Sequence, residues 1–182
     1  MYIKELEIEN FKSFSSHKTV FFNQGLTVIT GPNGSGKTNL LDSIKFVFAQ
    51  KDYRIIENKD YINNQNQTQT LVKVVTDSDE KIERILQKYP SGKTRSKYFI
   101  NDKQVKEKEV LGLFKKLKVE IIDACCCKTD NNKSEEFAKE LKKKSSDVQI
   151  LVVSHNKNIL EAADYIIALN NDNIRGICGK NK

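Results

Sequence analysis

The chain has 182 residues, of which 38% are hydrophobic and 30% charged, and its 31 Lys+Arg against 24 Asp+Glu give a net charge of +7. That is about one domain's worth of sequence, long enough to bury a core without disulfide support. Its apolar runs fall far short of the roughly 20 residues that span a bilayer, which argues against a membrane-spanning helix.

Tyr2 to Glu9 alternates apolar and polar residues, placing Ile3, Leu6 and Ile8 towards one interior and predicting a strand. The same opening lacks the continuous apolar core of a signal peptide. Thr19 to Phe22 and Leu26 to Thr30 are short apolar runs between Asn/Gly-rich turns, the pattern of buried strands. From Lys37 to Phe48 the residues Leu40, Leu41, Ile44, Val47 and Phe48 recur at helical spacing. Lys51 to Gln69 is polar and Asn/Gln-rich and reads as a surface loop. Strands are predicted at Thr70–Thr76, Lys81–Leu86 and Lys97–Ile100, then a basic helix from Val105 to Leu117. Val119–Asp123 reads as a strand, Ser134–Lys144 as a helix, Val148–Val153 as a strand and Asn158–Ala163 as a helix. Tyr165–Leu169 and Ile174–Ile177 read as closing strands. Strand–helix alternation in this second half predicts parallel strands in an α/β sheet. Three of the four cysteines are adjacent, a poor disulfide framework that points to a reducing, intracellular compartment.

Gly31-Pro32-Asn33-Gly34-Ser35-Gly36-Lys37-Thr38 satisfies every fixed position of G-x-x-x-x-G-K-[ST]. It lies between a predicted strand and a predicted helix, where successive backbone N–H groups and the helix N-terminus form an anion cradle. In that chemistry Lys37 reaches the outer phosphates and Thr38 ligates Mg²⁺. The alternative is a Gly-rich structural turn. Pro90-Ser91-Gly92-Lys93-Thr94 repeats G-K-T without the leading glycine and among predicted strands, so it reads as a hairpin turn.

These segments resemble the ATPase head of structural maintenance of chromosomes (SMC) proteins, within the ABC-type ATPases. The resemblance rests on Ile8-Glu9-Asn10-Phe11-Lys12-Ser13-Phe14, on Gly31 to Asn39, and on Leu41-Asp42-Ser43-Ile44-Lys45-Phe46-Val47. It extends to Val152-Val153-Ser154-His155-Asn156-Lys157 with Glu161-Ala162-Ala163-Asp164. RecF- and RecN-type ATPases share the opening, and the C-terminal segment favours SMC. The resemblance implies an α/β P-loop NTPase with a mixed sheet core and an N-terminal antiparallel β layer. It implies an N-terminal half, 1–118, and a C-terminal half, 119–182, in one compact domain.

The cofactors it implies are ATP and Mg²⁺, with Pro32, Asn33, Gly34, Ser35, Gly36, Lys37, Thr38 and Asn39 about the nucleotide and Lys12 and Arg54 as further contacts. Thr38 and Asp123 would hold the metal. Asp130 matches the D-loop aspartate, and His155 matches the switch histidine, the one candidate catalytic side chain. Partners implied are a second SMC-type head and DNA through basic surface. The setting implied is chromosome-associated, in chromosome organisation, segregation or DNA repair.

Two departures bear on activity. The residue after the Walker B aspartate is normally a glutamate that polarises the attacking water, and here it is Ala124. Loss of a positioned general base costs about 10²–10⁴ in rate, while phosphate and metal binding do not require it. Glu120 precedes the aspartate on the strand and is a poor substitute. Second, the Q-loop, coiled coils, hinge and signature motif that a head of this kind carries between its halves are missing, and Lys118 runs directly into Val119. The reading is therefore an ATP-binding head with impaired or absent hydrolysis. The alternatives are an active RecF-like or defence-type ATPase, a DNA-binding module with a relic loop, and a truncated or mis-joined remnant of a longer SMC protein. Cys125-Cys126-Cys127 is too closely spaced for an ordinary zinc site, and Lys142-Lys143-Lys144 reads as a solvated helix face or a DNA contact.

Overall fold

A computed structural model describes residues 1–50, 58–63, 67–124, 131–170 and 173–178, without the side chains of 131, 132, 173, 177 and 178. In chain order the strands and helices are β1 (Ile3–Glu9), β2 (Lys18–Phe21), β3 (Leu26–Thr30), α1 (Lys37–Val47), β4 (Gln69–Thr76), β5 (Lys81–Lys88), β6 (Thr94–Ile100) and β7 (Lys103–Val105). There follow α2 (Glu107–Phe114), β8 (Val119–Asp123), α3 (Asn131–Lys144), β9 (Gln149–Val153), α4 (Lys157–Ala162), β10 (Tyr165–Asn170) and β11 (Asn173–Cys178). A 3₁₀ turn lies at Asn58–Tyr61. The chain divides into two compact units, one mainly of Ile3–Val20 and Asp42–Leu117, the other mainly of Phe21–Leu41 and Lys118–Lys182. The phosphate-loop segment is thus grouped with the C-terminal part of the chain.

The first unit is organised by a six-stranded sheet in the order β2-β1-β4-β5-β6-β7, antiparallel from β1 through β7. Period-two patterning sets its inward face: Ile82, Arg84 and Leu86 are buried while the residues between them are half-exposed. Phe11, Phe46 and Tyr61 form an aromatic cluster with centroids 4.8–5.7 Å apart. Tyr61, Ile62 and Asn63 are buried, which corrects the reading of Lys51–Gln69 as surface throughout. The Tyr61 carbonyl accepts from Lys12 N–H at 2.8 Å, and Asn63 N–H donates to the Asn10 carbonyl at 2.9 Å.

The expected helix from Val105 also begins later. Asn101 and Asp102 both adopt positive φ, 48° and 64°, giving a two-residue turn of the kind that matches strand twist. They return the chain as β7, and α2 starts only at Glu107, after the N-cap Lys106 whose N–H donates to Glu109 Oε1 at 2.9 Å. The Gly92 segment is a hairpin turn as expected, with Gly92 N–H donating to the Tyr89 carbonyl at 2.9 Å between β5 and β6.

The second unit holds a mixed five-stranded sheet in the order β11-β10-β3-β9-β8. β8, β9, β3 and β10 are parallel, and β11 returns antiparallel to β10. β9 is buried along its whole length and β3 in all but its last residue, the continuous apolar run that a parallel strand covered on both faces requires. Alternate residues Leu26, Val28, Ile150 and Val152 pack with Ala124, Ala138, Leu141 and Ile159 as one core cluster. Full burial of each such branched side chain is worth about 1.5–3 kcal/mol. The sheet thereby brings the carboxyl ends of β3, β9 and β8 side by side, the edge at which open α/β sheets bind ligands.

Candidate functional site

β3 ends at Thr30, and Gly31 follows at φ 144°. A Cβ there would stand 2.1 Å from the Leu169 carbonyl oxygen of β10, so only glycine lets the loop leave the sheet this closely. The loop closes with Ser35 N–H donating to the Pro32 carbonyl at 3.2 Å, and the helix ladder opens with Leu40 N–H donating to the Gly36 carbonyl at 2.9 Å. Asn33, Gly34, Gly36, Lys37, Thr38 and Asn39 line a cavity of about 280 Å³ at the N-terminus of α1.

Lys37 is only 6% exposed, and its ammonium donates to the Gly31 and Pro32 carbonyls at 2.8 Å each. A buried cation requires such compensation, and two neutral carbonyl dipoles supply it in place of a carboxylate. The Ser35 hydroxyl oxygen is buried without a hydrogen-bond partner among the described residues. Buried polar groups are ordinarily satisfied, so this orphan inside an anion cradle has the chemistry of a contact kept for a ligand. Thr38 Oγ1 donates to Asp123 Oδ2 at 3.2 Å, joining the start of α1 to the end of β8. Two oxygen donors at hydrogen-bond distance suit a hard divalent cation that keeps most of its waters.

His155 follows β9, is exposed, and brings Nδ1 within 3.4 Å of Thr30 Oγ1 at the end of β3. Ala124 is buried in the core cluster, 6% exposed, its N–H donating to the Val153 carbonyl at 3.1 Å. The methyl group therefore packs into the apolar layer and presents no acid at the strand end. Glu120, the other carboxylate of β8, pairs with Lys144 of α3 at 2.8 Å.

Of the residues expected from sequence, the second unit brings together Pro32 through Asn39, Asp123 and His155 along one sheet edge. Lys12 lies in the first unit, where its ammonium pairs with the buried Asp42 carboxylate at 2.6 Å and sits 5.5 Å from the Tyr61 ring centroid. Arg54, Asp130 and Cys125–Cys127 lie outside the described residues. Sequence reading missed Arg84, which is buried 4.0 Å over the Phe46 ring and donates to the Phe46 carbonyl at 2.8 Å, in the last turn of α1. Its Nε and Nη2 both donate to Ser96 Oγ. Burial is the largest influence on its pKa and holds it below the ordinary guanidinium value, with Tyr98, Tyr61 and Glu107 opposing. The signal was available, since Arg84 falls in phase with Ile82 and Leu86 on the strand.

Residues 2–122 match the family described as RecF/RecN/SMC N terminal domain. The chain belongs to that family. A chromosome partition protein Smc from Fusobacterium nucleatum is 47% identical over 60 residues, 33% of this chain and 5% of that protein. The Smc of Mycoplasma pneumoniae is 26% identical over 129 residues, 63% of this chain and 13% of its own length. The chain therefore corresponds to a small fraction of these relatives. Among solved structures, an Smc head bound to the C-winged helix domain of ScpA superposes with TM-score 0.82 at 16% identity, covering 98% of both chains. The SMC head domain from Thermotoga maritima superposes with TM-score 0.73 at 19% identity, covering 99% of this chain and all of that one. These likenesses establish the fold, α/β with mixed sheets of the P-loop NTPase type. Among the described residues no helix is long and apolar enough to cross a membrane.

Proposed function

We propose that this chain is a Mg-ATP-binding head of the SMC type that holds nucleotide without turning it over at an ordinary rate. The observation that carries the reading is the pairing of a complete phosphate cradle with a buried methyl group at Ala124. Pro32 through Asn39 would surround the phosphates, with main-chain N–H groups and the Lys37 ammonium taking the place of lost hydration. Thr38 and Asp123 would hold Mg²⁺, which when bound neutralises phosphate charge. His155, exposed and 3.4 Å from Thr30 Oγ1 at the end of β3, would donate to a terminal phosphate oxygen and so report its presence. With Ala124 in the glutamate's place, no side chain of β8 beyond Asp123 would accept the proton of an attacking water, a step that supplies about 10²–10⁴ in rate.

The setting proposed is chromosome organisation, segregation or DNA repair, inside the cell and at the chromosome, with DNA and a second SMC-type head as partners. The printed function of the relatives supports it, as does the net charge of +7. A winged-helix partner of the ScpA kind, seen on the structural neighbours, is a further candidate. The test is calorimetric titration of Mg-ATP into wild type, Lys37→Ala and Ala124→Glu, with phosphate release followed in parallel. Binding without release in wild type, and weakened binding in Lys37→Ala, is the expected pattern. No binding by folded wild type, or release at the rate of a working head, overturns the proposal.

A further inference from the structure

β3 is held on both sides, by β10 and β9, and Thr30 closes it one residue before the phosphate loop. At the same sheet edge the chain leaves β9 through Ser154, which is 2% exposed and whose N–H donates to the Ile29 carbonyl at 3.2 Å. The Ser154 hydroxyl accepts from Asn156 N–H at 3.1 Å, and Asn156 Oδ1 accepts from Asn158 N–H at 2.9 Å as the N-cap of α4. The main chain is therefore anchored on either side of His155, and two side-chain torsions remain to place its ring. Thr30 Oγ1 lies 3.4 Å from Nδ1 of that ring, and neither side chain has another hydrogen-bond partner among the described residues. The separation is at the long end of the hydrogen-bond range, so the contact selects an orientation more than it adds stability.

The contact also sets where the ring carries its proton. A neutral imidazole has one N–H, so one nitrogen donates and the other accepts. A hydroxyl can do either, and an imine nitrogen is a better acceptor than a hydroxyl oxygen. With no other acceptor for it among the described residues, the Thr30 proton goes to Nδ1, and the ring proton is left on Nε2. The nitrogen across the ring from Thr30 is then a donor without the ring being charged. A bare Nε2 would turn a lone pair towards a phosphate oxygen and repel it, whereas Nε2–H offers a hydrogen bond. The other histidine of the chain, His17, meets Thr19 Oγ1 at 3.2 Å through the opposite nitrogen, Nε2, and serves as an internal control.

We infer that Thr30 is a positioning residue for His155: its hydroxyl holds the neutral ring with the proton on Nε2, the form that donates to a terminal phosphate oxygen. That oxygen belongs to the function proposed above, on which this step rests, whereas the tautomer is read without nucleotide. The probe is the ¹H–¹⁵N correlation spectrum of the ring nitrogens in the nucleotide-free chain, recorded in mild alkali where imidazole is neutral. His155 is expected as Nε2–H in wild type and in Thr30→Ser. In Thr30→Val the Nδ1–H form is expected to grow at His155, with no change at His17. Thr30→Ala gives the same comparison where valine is not tolerated. A wild-type His155 protonated on Nδ1, or a tautomer indifferent to loss of the hydroxyl, overturns the inference. Calorimetry supplies the second arm, read as the affinity for Mg-ATP over that for Mg-ADP. His155→Ala is expected to lower that ratio about tenfold or more, as for a hydrogen bond to a charged group. Thr30→Val should fall between it and wild type, and Thr30→Ser should match wild type. A ratio that drops in His155→Ala but stays whole in Thr30→Val also overturns the inference. Folded wild type that binds no Mg-ATP overturns the functional reading instead, and the spectra still decide what Thr30 does to the ring.

Discussion

The two units treat their buried cations in opposite ways. In the antiparallel unit Arg84 is committed to its surroundings, spread over the Phe46 ring and bonded to the Phe46 carbonyl and Ser96, while Lys12 is committed to Asp42. In the parallel unit Lys37 is as deeply buried as Arg84 but leans on two neutral carbonyls, next to a Ser35 hydroxyl with no partner among the described residues. A cation locked to a carboxylate or an aromatic face holds a fold together. One held by loop dipoles can exchange them for phosphate at small cost. Ala124 adds a second contrast within the parallel unit itself: Lys37, Thr38 and Asp123 stand at the carboxyl end of the sheet, while the residue after Asp123 is a buried methyl group. On the function proposed above, binding and turnover are carried by separate residues, so that one is lost without the other.

The largest effect expected is a gain. Ala124→Glu places a carboxylate one residue beyond Asp123, and turnover in a phosphate-release assay should rise by about 10²–10⁴. A flat response in a folded variant that binds Mg-ATP would mean that more than the base is missing. Next is Arg84→Met, which removes the guanidinium from the Phe46 ring and leaves the Phe46 carbonyl without its donor. Stability should fall by on the order of 3 kcal/mol by denaturant titration, with nucleotide affinity little changed in the folded fraction. Lys37→Ala inverts that pattern: the midpoint of unfolding should barely move, whereas the Mg-ATP dissociation constant should rise about a hundredfold, as for a charge-assisted contact worth ~1.5–3 kcal/mol. If both variants lost stability and affinity together, the contrast between committed and available cations would fail.

The smallest effect concerns Lys73, hydrogen-bonded to Glu7 at 2.7 Å across β1 and β4. That bond, opposed by burial, raises the lysine pKa. A raised lysine contributes stability that is complete below its unfolded value of about 10.4 and lost as pH rises through the folded one. Thermal unfolding of Lys73→Met against wild type should therefore show a gap of at most ~1 kcal/mol near neutrality, closing in strong alkali.

Much of the site is readable without coordinates, because a phosphate cradle demands glycines and a lysine at fixed spacing and the flanking strand and helix carry their own periods. The Thr38–Asp123 contact needs the fold: 85 positions separate the two residues, and only the order β3-β9-β8 brings them together. Tyr61 and Ile62 read as surface because the polar, Asn/Gln-rich sequence around them hides two apolar residues whose burial is decided by Phe11 and Phe46, distant in sequence. β7 was hidden by its own composition, since Lys103 and Lys106 extend the helical charge pattern of α2. Asn101-Asp102 was the turn signal that should have outweighed it. Arg84 was passed over because charge suggests exposure, although its phase on β5 placed it inside.

The most direct measurement is a single-turnover experiment in which excess wild-type chain meets trace ATP labelled at the γ-phosphate, with Mg²⁺ present. The expected result is nucleotide retained by the protein and recovered uncleaved. Prompt release of labelled phosphate, abolished by Lys37→Ala, would contradict the proposal that Ala124 leaves the site without its base.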